Sequence, residues 1–133
     1  MINQIEWIRK QIYDLYTILK YDKNAASIIS EGQELDQNLI AVEENLVELK
    51  LTGGSQDWLR WPTRFHAKLS SLAGSVGSTD FPPTTQQIEV HEMYKEQLAN
   101  YKNQLSELLN KDLPDFNNLL KEKNIPNIIA RTL

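Results

Sequence analysis

Two histidines are the residues with which this chain could most simply do metal or acid–base chemistry. His91 opens the stretch HEMYK, which begins like the zinc motif His-Glu-x-x-His but carries Lys95 where the second histidine must stand. His66 has Thr63 three positions before it and therefore lacks the Glu-x-x-His spacing of di-iron bundles. We expect both histidines to be ordinary surface or partly buried residues, and we expect no metal or cofactor.

Two groups of glutamates could supply paired carboxylates for acid–base catalysis. They are Glu43, Glu44 and Glu48, and Glu89, Glu92 and Glu96. The same spacing is typical of a solvated helix face, and lysines among the glutamates offset their charge. Residues 52–55 lack the spacing and the lysine of a phosphate loop, and the serines lack the motif that surrounds a nucleophilic serine. We therefore predict solvated helix faces and no catalytic residue.

The stretch GGSQDWLRWPTRF, residues 53–65, carries a pair of tryptophans three positions apart. Trp58 and Trp61, with Arg60 between them, could stack on a sugar ring, because indole faces bury a large area at low entropic cost. They could also pack a bent connection or dock on a neighbouring domain. Trp7 leaves the apolar stripe of its helix and is a further candidate for such a surface. We favour packing or docking, and sugar binding stays open as the alternative.

Length and composition restrict the number of domains and the classes of partner and chemistry that this chain can have. The 133 residues fit one domain, and 41% apolar with 24% charged residues is ordinary for a globular protein. The net charge of −4, with scattered basic residues, argues against a nucleic-acid partner. The absence of cysteine excludes disulfides, zinc–thiolate sites and thiol catalysis. No run approaches the ~18 apolar residues of a membrane span, and the N-terminal residues make a poor signal peptide.

Apolar residues that recur every three or four positions predict the helices that must position these side chains. The helices are expected at about residues 2–21, 27–51, 62–74, 84–112 and 115–123. The stripes expected to form the core are Ile5, Ile8, Ile12, Leu15 and Leu19; Leu35, Leu39, Val42, Leu46 and Leu49; Phe65, Leu69, Leu72 and Val76; and Tyr94, Leu98, Tyr101, Leu105 and Leu108. Because short connections favour antiparallel neighbours, we predict an all-α fold. Residues 1–133 are expected to form a single domain, an antiparallel up-down four-helix bundle with a short extra C-terminal helix.

Glycine, proline and capping residues predict the joints between these helices, at Gly53, Gly54, Pro62, Asp80, Pro83, Thr84 and Pro114. The two glycines suit the end of the second helix, and Pro62 suits the first turn of the third. Thr84 and Gln87 have the spacing of a capping box, and the last proline interrupts the fourth helix or begins a new one. Gly32 costs the second helix about 1 kcal/mol relative to alanine, so a break can occur there. Residues 128–129 form an apolar tail that is expected to lie back on the bundle.

From Trp61 onward, an ordered set of residues resembles one known family. The set includes Pro62-Thr63-Arg64-Phe65, Asp80, Pro83-Thr84, Phe116-Asn117 and Ile125-Pro126-Asn127-Ile128-Ile129. It looks like the C-terminal helical domain of large bacterial proteins with sortilin-type, Asp-box (BNR) β-propeller repeats, which are often labelled glycosyl hydrolases. The resemblance covers roughly residues 58–130, and the first fifty residues agree only as two amphipathic helices.

The resemblance implies a non-catalytic accessory domain within a larger secreted protein, either periplasmic or extracellular. In such proteins the propellers come first, and any substrate site is expected on them. No catalytic residue carries over, because the matching positions are helix stripes, caps and turns. The implied partners are the preceding β-propeller domains, with another protein or a glycan as further candidates. A homodimer through an exposed docking face is a further expectation, since a contiguous apolar patch favours association.

Overall fold

The structure is a computed structural model that describes residues 1–54 and 56–130, and the side chain of Trp58 also lies outside the described part. Of the described residues, 75% are helical, and none of them lies in a strand. This confirms the all-α helical bundle that the periodicity predicts. The α-helices are α1 (Ile2–Leu19), α2 (Ala26–Leu46), α3 (Asp57–Arg60), α4 (Phe65–Gly77), α5 (Thr85–Glu107) and α6 (Leu113–Glu122).

The helices belong to two compact units. Unit 1 comprises Met1–Glu43 together with the chain from Asn103 onward, and unit 2 comprises Glu44–Lys102. The boundaries fall within α2 and within α5. The single domain expected from the chain length stays a prediction.

The apolar stripes predicted for α1 and α2 form the core of unit 1. Ile5 and Ile8 of α1 are fully buried, and Leu39 of α2 and Leu120 of α6 are buried with them. The other buried members are Ile12, Ile28, Leu35, Val42, Leu105, Leu113, Phe116 and Ile128. Burying one such side chain stabilises the fold by about 1.5–3 kcal/mol, so this cluster is the main source of stability in unit 1.

Gly32 lies inside an uninterrupted α2, so the break that its weak helix propensity would allow does not occur there. A Cβ atom at this position would approach Phe116 Cζ to 3.2 Å and Ile12 Cγ2 to 3.5 Å. The glycine therefore allows α1, α2 and α6 to pack closely, and this packing outweighs its weak helix propensity.

Gly32→Val is expected to destabilise unit 1 by about 1–3 kcal/mol, because an overpacked contact forces its neighbours to move. Gly74 is the matched control, because it lies in α4 with no atom near its added Cβ. Gly74→Ala is expected to stabilise the chain by about 0.5–1 kcal/mol through helix propensity alone. Urea denaturation followed by circular dichroism measures both changes, and a neutral Gly32→Val would contradict the close packing.

The second helix was predicted to continue to residue 51, but it ends at Leu46. The chain turns at Glu48, whose carboxylate accepts a hydrogen bond from the Lys50 amide at 3.2 Å. The same carboxylate accepts from Arg64 Nε at 2.9 Å. Leu49, placed in the core stripe by its spacing, is consequently 41% exposed.

The third predicted helix begins later than expected and is preceded by a short additional helix, α3. Pro62 lies between α3 and α4 and is not in the first turn of either. Trp61 is extended, with φ −120° and ψ 144°, as the residue before a proline prefers. The following helix begins at Phe65 and runs through Gly74 to Gly77, three residues beyond the expected end.

The capping box at the start of α5 is confirmed. The Thr84 amide donates to Gln87 Oε1 at 2.9 Å, and the Gln87 amide donates to Thr84 Oγ1 at 3.2 Å. Two of the four free amides at the helix start are thereby satisfied reciprocally. Asp80 and Pro83 lie in the exposed connection before this cap, as expected.

The expected interruption before Pro114 is a π-helical turn, Leu108–Asp112, so the fourth helix ends at Glu107. The Leu113 amide donates to the Leu108 carbonyl across five positions. A wider turn accommodates the missing N–H and the ring of Pro114, which a regular helix interior tolerates poorly. Pro114 then stands in the first turn of α6, where its missing N–H costs little.

Candidate interaction surface

The helices α4 and α5 carry an apolar stripe that the structure leaves largely uncovered. Of the four α4 residues expected in the core, only Phe65 is buried. Leu69 is 36% exposed, and Leu72 and Val76 are half-buried. On α5, Ile88 is 52% exposed. The prediction of a fully buried stripe is therefore wrong for the outer part of α4.

Phe65 joins the two helices at the other end of this stripe. Its ring meets Tyr94 edge-on at 5.8 Å between centroids, and it meets Tyr101 in the same way at 5.7 Å. Edge-to-face aromatic pairs contribute about 0.5–1.5 kcal/mol beyond the burial of their area. Near the opposite end, Gln87 Nε2 of α5 donates to Ser75 Oγ of α4 at 3.1 Å. The α4–α5 hairpin is thus fixed at two points along its length.

Between these two helices lies a groove of about 590 Å³. Apolar side chains dominate its lining, which includes Leu69, Leu72, Val76, Pro83 and Ile88, with His91 at its side. An apolar face on a helix normally packs against another element of structure. We call this feature, defined by those six residues, the hairpin groove.

Two acidic residues expected on a solvated face are buried, and Glu43 of α2 is one of them. Glu43 is fully buried in unit 1, and its Oε2 accepts from Arg9 Nη1 at 2.7 Å. Arg9 Nε also donates to Asp36 Oδ1 at 2.9 Å. Glu43 Oε1 has no hydrogen-bond partner in the part of the chain that the structure describes. The positive charge of Arg9 therefore balances the buried carboxylate of Glu43.

Glu48 is the second buried carboxylate, and it lies in unit 2. Burial alone would raise the pKa of its carboxyl, but the hydrogen bonds from Arg64 and the Lys50 amide outweigh this. Its pKa consequently lies below the ordinary value of 4.5. Arg64 is the N-cap residue of α4, so this pair ties the turn after α2 to the start of the hairpin.

Acidification is expected to weaken unit 2 through Glu48. A carboxyl whose pKa is lowered by folding contributes stability above its unfolded value, here 4.5, and loses it as pH falls through the folded value. Glu48→Gln should therefore flatten the fall in melting temperature below about pH 4.5. Glu92→Gln serves as the control, because Glu92 is exposed on α5. An unchanged pH profile for Glu48→Gln would contradict this account.

The glycines before α3 hold a carboxylate and do not end the preceding helix. Asp57 Oδ2 accepts from the Gly53 amide at 2.8 Å and from the Thr52 amide at 2.9 Å, and Oδ1 accepts from Thr52 Oγ1 at 2.9 Å. Burial opposes ionisation of Asp57, yet these bonds lower its pKa below the ordinary 3.8. Gly53 has φ +79°, a conformation that glycine adopts at little cost. Gly54 follows it in the same exposed loop.

The predicted aromatic surface is distributed over both units. Trp7 lies on α1 in unit 1 and is 41% exposed. Trp61 lies in unit 2, half-buried, with Lys50 Nζ 5.2 Å from its ring centroid. Arg60 is exposed at the end of α3. The side chain of Trp58 lies outside the described residues. That Trp61 packs a connection stays a prediction.

Within the described residues we find neither a metal site nor a helix that could span a membrane. They contain no group of three or more histidine or acidic side chains placed to hold a metal ion. Both histidines are exposed, as expected. Among the same residues, no helix combines the length and the apolar character needed to cross a membrane.

Sequence reasoning missed the buried ion pairs, α3 and the side chains that hold the C-terminal tail. A signal for one of them was present, because Arg9 directly follows Ile8 in the buried stripe of α1. Glu43 likewise directly follows Val42 in the stripe of α2. Opposite charges at the edges of two packing stripes can meet between the helices.

Comparisons with protein-family models, curated proteins and solved structures gave no match for this chain.

Proposed function

We propose that this chain is a non-catalytic accessory domain that docks a second protein domain through the hairpin groove. The observation that supports this is the uncovered apolar stripe on α4 and α5, which Phe65 and Gln87 hold in a fixed shape. Covering apolar surface contributes about 25 cal/mol per Å². A partner with a complementary apolar ridge would therefore be bound mainly by the burial of Leu69, Leu72 and Ile88.

The partner we propose is a β-propeller domain that precedes this chain within a larger secreted protein. This partner comes from the resemblance of residues 58–130, and the open groove lies within that same segment. Catalysis, if the larger protein has it, would belong to the propeller.

The proposal is tested by comparing the larger protein with and without residues 1–133. Removal is expected to leave any hydrolysis of aryl glycosides unchanged, because no catalytic group is lost. It is also expected to lower the melting temperature of the propeller, because a docked domain stabilises its partner. Loss of hydrolysis by a folded propeller would contradict the non-catalytic assignment, and an unchanged propeller melting temperature would contradict docking.

A further inference from the structure

The chain after α6 is held by side chains and not by secondary structure. The helix ends at Glu122, and Asn124 adopts φ +57°, which turns the chain. The Ile125 amide then donates to the Leu120 carbonyl at 2.9 Å. Beyond Ile125, the residues through Ala130 make no main-chain to main-chain hydrogen bond with the described part of the chain. We call residues 125–130 the strap.

Two carboxamide side chains bind the main chain of the strap at successive residues. Asn117 of α6 binds Ile128 at both main-chain groups: its Nδ2 donates to the carbonyl at 2.9 Å, and its Oδ1 accepts from the amide at 2.7 Å. Gln11 of α1 binds Ile129 in the same way: its Nε2 donates to the carbonyl at 2.9 Å, and its Oε1 accepts from the amide at 3.0 Å. Each amide side chain thus takes the place of a neighbouring strand.

The side chains of residues 128–130 alternate between the core and the solvent. Ile128 is 4% exposed within the core cluster, and Ala130 packs partly against the same cluster. Ile129, between them, is 66% exposed. This alternation is typical of an extended chain that presents every second side chain to one surface. Ile128 is therefore the buried anchor of the strap.

We propose that the groove between α1 and α6 is a binding site for an extended peptide with an isoleucine anchor, which the strap occupies in cis. Extended peptides are bound by main-chain hydrogen bonds that give affinity and by pockets for alternate side chains that give specificity. Asn117 and Gln11 supply the main-chain hydrogen bonds, and the pocket of Ile128 supplies the specificity. Residues 126–130 of the strap can leave without breaking a main-chain to main-chain hydrogen bond to the described part of the chain, so the same segment supplied in trans can replace them. This inference uses unit 1 alone and does not depend on the hairpin groove.

The test supplies the strap as a separate peptide to the full chain carrying Ile128→Asp, which removes the anchor of the cis strap. The probe is a fluorescein-labelled peptide with the sequence of residues 124–130, and fluorescence anisotropy measures its binding. Saturable binding is expected for Ile128→Asp. Wild type should bind at least tenfold more weakly, because a tethered strap competes at high effective concentration. A folded Ile128→Asp chain that does not bind the probe would overturn the proposal.

Two second-site variants in the Ile128→Asp background distinguish specific recognition of the labelled peptide from nonspecific adhesion of the peptide to the chain. Asn117→Ala should weaken probe binding at least tenfold, because it removes both bonds to the anchor residue. Asn118→Ala, at the exposed neighbouring position, should leave binding unchanged. Equal effects of the two variants would overturn the assigned role of Asn117.

Hydrogen exchange on the wild-type chain tests the inference even if Ile128→Asp does not fold. The amides of Ile128 and Ile129 should exchange at least a hundredfold faster than those in the middle of α6, because the strap opens alone. Exchange of the strap amides only with global unfolding would overturn the proposal.

Discussion

Replacing Arg9 with alanine is expected to destabilise the chain by about 3 kcal/mol, at the lower end of the range for breaking a buried ion pair. The substitution leaves Glu43 fully buried without the guanidinium that now lies 2.7 Å from it. The effect falls at the lower end because the Arg9 side chain is itself 29% exposed. Urea denaturation at pH 7, followed by circular dichroism, measures the loss.

The double variant Arg9→Met with Glu43→Leu is the matched control. It removes both charges and fills the space with apolar atoms, so its stability should equal or exceed that of the wild type. Asp36, left without Arg9, remains 30% exposed and can be hydrated. If the double variant were as unstable as Arg9→Ala, loss of packing and not an unpaired charge would explain both results.

Replacing Phe65 with alanine is expected to destabilise unit 2 by about 3–5 kcal/mol. Phe65 is the buried residue of α4, and its ring contacts both Tyr94 and Tyr101 of α5. Without that ring the two helices lose the aromatic contact that fixes their spacing. Proteolysis within α4 should accelerate accordingly, and hydrogen exchange of α4 amides measures the same opening.

Phe81→Ala is the control for this prediction, because Phe81 belongs to the same unit and is 80% exposed. Its effect should lie within about 0.5 kcal/mol of zero, as for ordinary surface positions. Similar losses for Phe65→Ala and Phe81→Ala would contradict the anchoring role of Phe65.

Features encoded over a few neighbouring residues could be predicted from the sequence. The stripe of Ile5, Ile8 and Ile12 indicates which face of α1 is buried, since helical spacing alone places these residues together. The capping box of Thr84 and Gln87 requires only a spacing of three residues, and the structure contains both of its hydrogen bonds.

Features that depend on distant partners could not be predicted in this way. The burial of Glu43 depends on Arg9, 34 positions away, and the early end of α2 depends on the pairing of Glu48 with Arg64, 16 positions away. The stripe of α4 posed a different problem: the spacing of Leu69 and Leu72 shows that they share a face, but not whether anything covers it. The hairpin groove therefore became visible only in the structure.

Calorimetric titration of this chain with the β-propeller domain proposed to precede it tests docking through the hairpin groove most directly. The wild type is expected to bind saturably, and Leu69→Asp should bind at least tenfold more weakly, because a charge enters the groove. Ala67→Asp, on the exposed opposite side of α4, should bind like the wild type. No binding by the wild type, or equal binding by Leu69→Asp, would contradict the assignment of the hairpin groove as the docking surface.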